Sequence, residues 1–108
     1  MTAPTTTLGQ AIIGARKKKG ISQKDLAAAV QKEDGSGSIS PQYLNDIEHD
    51  RRSPTSDHLI REFARALGED EDYLFVLAGK IPEDLRLAAT DPANTAKAFR
   101  AFRRSLSK

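Results

Sequence analysis

Residues 22–54 read SQKDLAAAVQKEDGSGSISPQYLNDIEHDRRSP, and the two helix starts inside this stretch order the rest of the chain. Ser22 supplies a capping hydroxyl for a helix whose apolar positions are Leu26, Ala27 and Val30 and which is expected to end near Gln31. Lys32 to Ser38 (KEDGSGS) is polar and glycine-rich, a composition that does not sit in a core. Ser40-Pro41 gives the second start, a capping hydroxyl followed by proline at the first helical position, where its missing N–H is harmless. Tyr43, Leu44 and Ile47 form the buried side of that helix, leaving Gln42, Asn45, Asp46 and His49 toward solvent. Arg51-Arg52-Ser53-Pro54 reads as a loop.

Toward the N-terminus, Thr7-Leu8-Gly9-Gln10 reads as a capping box, followed by one apolar stripe of Leu8, Ala11, Ile12 and Ala15. Lys17-Lys18-Lys19 suits the negative end of that helix, and Gly20 stops it. Toward the C-terminus, a fourth helix is expected from about Ser56, with Leu59, Phe63, Ala66 and Leu67 inward and Gly68 as its stop. Asp70 caps a fifth, short helix with Tyr73, Leu74 and Leu77 inward, closed by Gly79. Pro82 opens a sixth to about Ala89, and Asp91-Pro92 starts a seventh with Ala96, Phe99, Phe102 and Leu106 as its apolar residues. No segment alternates as a strand does. The expected fold is all-α: a five-helix bundle over residues 7–79, interrupted by an insertion over about 32–38. Two additional helices make a C-terminal extension over 80–108, and residues 1–6 form a mobile tail.

Composition agrees with short, closely packed helices. Leu, Ile, Val and Phe number 23 of 108 residues, just above the range of chains too polar to fold, and 15 alanines add small apolar surface. There is no cysteine, which excludes a disulfide scaffold, a thiol nucleophile and a cysteine-based zinc site. No apolar run approaches the roughly 20 residues of a membrane span, and no signal-peptide core follows the N-terminus. A cytoplasmic setting is expected. The net charge of +2 names no partner, but its placement is uneven: the two ends are basic around an acidic middle that holds Glu69-Asp70-Glu71-Asp72. Four acids in a row most simply start a solvated helix.

A short helix, a connection and a second helix with a polar outward face is a pair that fits a DNA major groove, although any small bundle contains one. Here the residues themselves add more. Ile21-Ser22-Gln23, Asp25-Leu26-Ala27, Ser40 through Glu48 (SPQYLNDIE), Arg51-Arg52-Ser53-Pro54 and Phe63 through Gly68 (FARALG) occur in order. Together they resemble the helix-turn-helix transcriptional regulators of the lambdoid phage repressor and Cro type, the XRE family. The likeness runs from about Leu8 to Leu77, roughly two-thirds of the chain.

That resemblance implies Gln23 on a DNA phosphate, base reading from Pro41, Gln42, Asn45 and Asp46, and phosphate clamping by the loop residues Arg51 and Arg52. Gln42 and Asn45 carry the amides that pair with adenine N6 and N7. Asp46 is open to two readings, an acceptor for cytosine N4 or a partner within its own helix, since a carboxylate facing DNA is repelled. Ser40 and the N–H groups beside it suit a phosphate at the helix start. Arg16 and Glu48 match a family ion pair joining the first helix to the reading helix. The connection Gln31 to Ile39 departs from the family pattern by about seven extra residues, as a surface insertion or as an added element beside the groove. The resemblance also implies a homodimer on a two-fold symmetric double-stranded DNA operator. Phe99, Phe102 and Leu106 make an apolar stripe for dimerisation, or else fold back on the chain's own fifth helix.

No enzyme is expected. His49 and His58 lack ligand-like spacing, Gly35-Ser36-Gly37 is no phosphate loop, and neither a cofactor nor a metal is implied. The leading function is a dimeric repressor. The alternative is an antitoxin that binds a toxin (or an antirepressor protein) through residues 80–108 and represses its own operon. A third is a protein-interaction module without DNA binding, against which Gln23, Gln42, Asn45, Arg51 and Arg52 all speak.

Overall fold

The computed structural model describes residues 6–54 and 56–107. Among them are seven helices and no named strand: α1 (Leu8–Lys19), α2 (Gln23–Ala29), α3 (Pro41–Glu48), α4 (Asp57–Leu67), α5 (Glu71–Leu77), α6 (Glu83–Ala88) and α7 (Pro92–Leu106). The protein is all-α. Of the expected N-terminal tail, only exposed Thr6 lies within the described residues.

Each early helix starts where a side chain satisfies its open N–H groups. Thr7 and Gln10 form a reciprocal capping box on α1, Ser22 and Asp25 do so on α2, and Ser40 Oγ accepts from the Tyr43 N–H on α3. α2 stops at Ala29 rather than Gln31, because Val30 turns into an extended conformation and its neighbours begin the insertion. α6 likewise starts after Pro82, which is its N-cap, and ends at Ala88.

The core is made by α1 to α5, with Ile12, Leu26, Val30, Leu44, Ile47, Ile60, Phe63, Leu74 and Phe75 almost wholly buried. α4 contacts α1, α2 and α5, so its buried arc is wider than one stripe and takes in Ile60 and Ala64 while the expected Ala66 is half-buried. On α5 the expected inward Tyr73 is 44% exposed, and Phe75 is buried in its place. The helix is rotated so that Leu74 and Phe75 meet the core, which leaves the phenol hydroxyl wet and buries the ring without a polar atom.

Beyond α5 the chain leaves the core. No residue of α6 or α7 is buried, and Phe99 and Phe102 are 47% and 58% exposed. The Cα radius of gyration is 15.9 Å, against about 13 Å for a compact domain of this length. Among the described residues, the side-chain tie between this arm and the bundle is Asp57, which accepts from Lys80 Nζ at 3.1 Å and Arg86 Nη2 at 2.7 Å. Both cations hold the Asp57 carboxyl below the usual carboxylate range, Lys80 through its hydrogen bond foremost.

Candidate nucleic-acid interface

The positioning of α3 begins with Arg16 on α1. Its Nε donates to Glu48 Oε2 at 2.8 Å and its Nη2 to Glu48 Oε1 at 3.2 Å, while Nη1 holds the Ile21 carbonyl at 3.2 Å. Glu48 is 2% exposed, so this two-pronged pair locks the last turn of α3 against α1 and the start of α2. Removing either partner strands a buried charge, at a cost on the order of 3–5 kcal/mol.

Gln23, at the first position of α2, spends both protons of its amide: Nε2 donates to Glu48 Oε1 at 2.8 Å and to Asn45 Oδ1 at 3.1 Å. A phosphate contact by its N–H would require surrendering one of them. Pro41 and Gln42 are exposed at the front of α3, and Asn45 and Asp46 are half-buried one turn on. Asp46 gathers its surroundings. Its carboxylate accepts from Gln42 Nε2 at 3.2 Å and Arg51 Nε at 3.1 Å and lies 3.7 Å from Arg52 Nε, and its carbonyl accepts both arginine backbone N–H groups. Of the two readings of Asp46, the geometry in the free chain is that of an internal partner. The guanidinium of Arg52 also lies over the Tyr43 ring, 5.6 Å from its centroid. Both arginine side chains are still more than half exposed, so their remaining donors are open to an anion. Ser40 uses its oxygen as the α3 cap.

The insertion forms a narrow loop. Gln31 and Ser38 pair as an isolated antiparallel bridge, Lys32 N–H donates to the Gly37 carbonyl at 2.8 Å, and Ile39 N–H to the Val30 carbonyl at 3.0 Å. Gly37 sits at φ 125°, a conformation that only glycine adopts without strain. Glu62 on α4 accepts the Gln31 N–H at 3.0 Å, Arg65 donates to the Ala29 carbonyl at 2.7 Å, and His58 Nε2 lies 3.0 Å from the Gln31 carbonyl. Sequence reading missed this support, of which only the Glu62/Arg65 spacing at i,i+3 is visible locally. A shallow groove of about 480 Å³ separates the loop from α3, and its rim carries Glu33 and Asp34 against Lys32. Two carboxylates against one ammonium leave this rim anionic and unsuited to phosphate, and hydrogen bonds from Ser36 hold the Asp34 carboxyl below its ordinary range.

One further residue was not legible as part of the site. Asp50, at φ 60°, accepts from Thr7 Oγ1 at 2.7 Å and from the Gly9 N–H at 3.1 Å, tying the end of α3 to the start of α1.

α2 and α3 thus form a braced helix pair, with an amide-bearing face at the front of α3 and two open guanidinium groups behind it. The helix-turn-helix family model HTH_3 matches residues 12–74, which takes in both helices, the insertion and the helices around them. The chain belongs to the XRE-type helix-turn-helix family. It is a DNA-binding transcriptional regulator of a family that is typically non-enzymatic. Neither a curated protein nor a solved structure matches the chain. In this helix-turn-helix protein, α2 is the supporting helix and α3 occupies the place of the reading helix. No helix among the described residues is long and apolar enough to cross a membrane, and no group of three or more potential metal ligands is present among them.

Proposed function

We propose that this regulator is a dimeric, sequence-specific repressor that lays α3 in the major groove of a two-fold symmetric operator. Pro41, Gln42 and Asn45 face base edges, and Ser40, Arg51 and Arg52 bind backbone phosphate. The observation that carries the reading is the Arg16–Glu48 brace: it fixes α3 while its front amides and the two loop guanidiniums stay accessible. Asp46 orients the arginines before DNA arrives, and any cytosine contact of its own would compete with those bonds. The residues 7–79 make the DNA-binding unit, and residues 80–108 pair two chains through Phe99, Phe102 and Leu106. The exposed α6–α7 arm also fits a second reading, in which it holds a toxin and the chain acts as an antitoxin.

The test uses duplexes selected from random DNA by the full chain, alongside scrambled duplexes. Gln42→Ala and Asn45→Ala are expected to lose about 1–3 kcal/mol of discrimination each. Arg51→Ala and Arg52→Ala are expected to weaken binding to both duplexes and flatten the log–log salt slope by about one unit per lost phosphate contact. A wild-type ratio of selected to scrambled binding in both amide variants would remove α3 from the bases.

A further inference from the structure

We propose that Gln23, anchored on the buried Arg16–Glu48 pair, holds Asn45 with its NH2 group outward, so that α3 reads this position through donors alone and favours guanine over adenine. The inference rests on the reading that α3 faces base edges, and it concerns what Asn45 offers there.

The orientation follows stepwise from a charge. Both oxygens of Glu48 receive protons from Arg16, so this carboxylate is an acceptor only. The Gln23 atom 2.8 Å from Glu48 Oε1 must therefore be the amide nitrogen. The second proton on that nitrogen points to Asn45 at 3.1 Å, so the Asn45 atom facing it must be the oxygen, Oδ1. Asn45 Nδ2 is then turned away, and among the described residues it makes no hydrogen bond. The one buried side-chain polar atom without a partner among them is the Tyr43 hydroxyl, so Nδ2 is open to water.

Groove chemistry turns this orientation into a preference. Adenine presents N7 as an acceptor beside N6 as a donor, and an amide matches it only by presenting its oxygen beside its N–H. With Oδ1 drawn back to Gln23, Asn45 presents protons and no comparable acceptor. Guanine presents N7 and O6, two acceptors side by side. Gln42, on the same face, differs: its nitrogen donates to Asp46 while Oε1 is not engaged among the described residues, so it still offers both halves of the amide. Gln23 is accordingly a positioning residue. Both its protons are spent inside the protein, leaving none for a phosphate.

The experiment takes a duplex selected by the wild-type full chain and finds the base pair at which Asn45→Ala loses discrimination. That pair is then varied through all four identities and titrated with wild type, Gln23→Met, Asn45→Ala and Asn45→Asp. Wild type is expected to prefer guanine over adenine there by roughly 5- to 100-fold. Gln23→Met frees Asn45 to rotate, so the guanine preference is expected to collapse toward adenine, with the salt slope unchanged. Asn45→Asp still accepts from Gln23 but has no proton to offer outward, and is expected to lose the guanine preference as Asn45→Ala does. Should Gln23→Met fail to fold by circular dichroism, Asn45→Asp decides the matter, because it leaves the Gln23 anchor in place. The proposal is overturned if wild type prefers adenine, if Asn45→Asp keeps the guanine preference, or if folded Gln23→Met weakens all four duplexes by one factor. That last result would put Gln23 on a phosphate while leaving the reading of α3 intact. If Asn45→Ala changes discrimination at no base pair, base reading by Asn45 falls as well.

Discussion

Gly9 lies where the start of α1 crosses the end of α3. A β-carbon there would meet the Ile47 carbonyl oxygen at 2.6 Å and Asp50 Oδ1 at 2.7 Å, and the Glu48 carbonyl more closely still. Helix carbonyls move only with their helix, so Gly9→Ala is expected to displace α3 and to destabilise the fold by about 2 kcal/mol or more. The same displacement should weaken binding to a selected duplex at temperatures where the variant is fully folded. Urea unfolding and duplex titration check both, and an unchanged unfolding midpoint would mean that the crossing relaxes freely. Nothing local in Thr7-Leu8-Gly9-Gln10 announces this contact, since a glycine inside a capping box signals no close approach. The Arg16–Glu48 partnership is equally non-local, 32 residues apart, and was legible only through the family resemblance.

The insertion is an element whose support comes from another helix, and that support titrates. Arg65, and then the Gln31 N–H, lower the Glu62 carboxyl from its ordinary 4.5 to about 2. Between these values the unfolded chain binds the proton more readily than the folded one. The stabilisation is therefore whole above about pH 4.5 and is lost as pH falls toward 2. Glu62→Gln is expected to be less stable than wild type at pH 7 but to lose less between pH 4.5 and pH 2, as acid titrations followed by thermal melts would show. Parallel pH profiles would remove Glu62 from the brace. Helix existence was legible almost throughout, because Ser22, Ser40 and Asp70 act on N–H groups within three residues of themselves. Rotation of a short helix was not. Tyr73 and Phe75 exchange roles according to where α4 lies, and seven residues carry too little periodicity to reveal that.

The described molecule is a closed bundle with an arm, and among the described residues every buried hydrophobic one lies between Leu8 and Phe75. A chain ending at Gly79 is therefore expected to fold, and by the proposed pairing it should sediment as a monomer where the full chain is a dimer. Phe99→Ala/Phe102→Ala should sediment as that shortened chain does. A dimer that survives the truncation would move the pairing surface into the bundle. The arm's hold on Asp57 has a consequence of another kind. Its two partners are basic side chains at the surface, with Arg86 half exposed, and added salt screens such pairs over a distance of about 8 Å at physiological ionic strength. For two chains joined through α7, Asp57 would act as a latch on the distance between their reading heads. In dilute buffer that distance would be set, and operators with one half-site spacing would be favoured. In concentrated buffer the latch would open, and spacing tolerance itself would become a property of the medium.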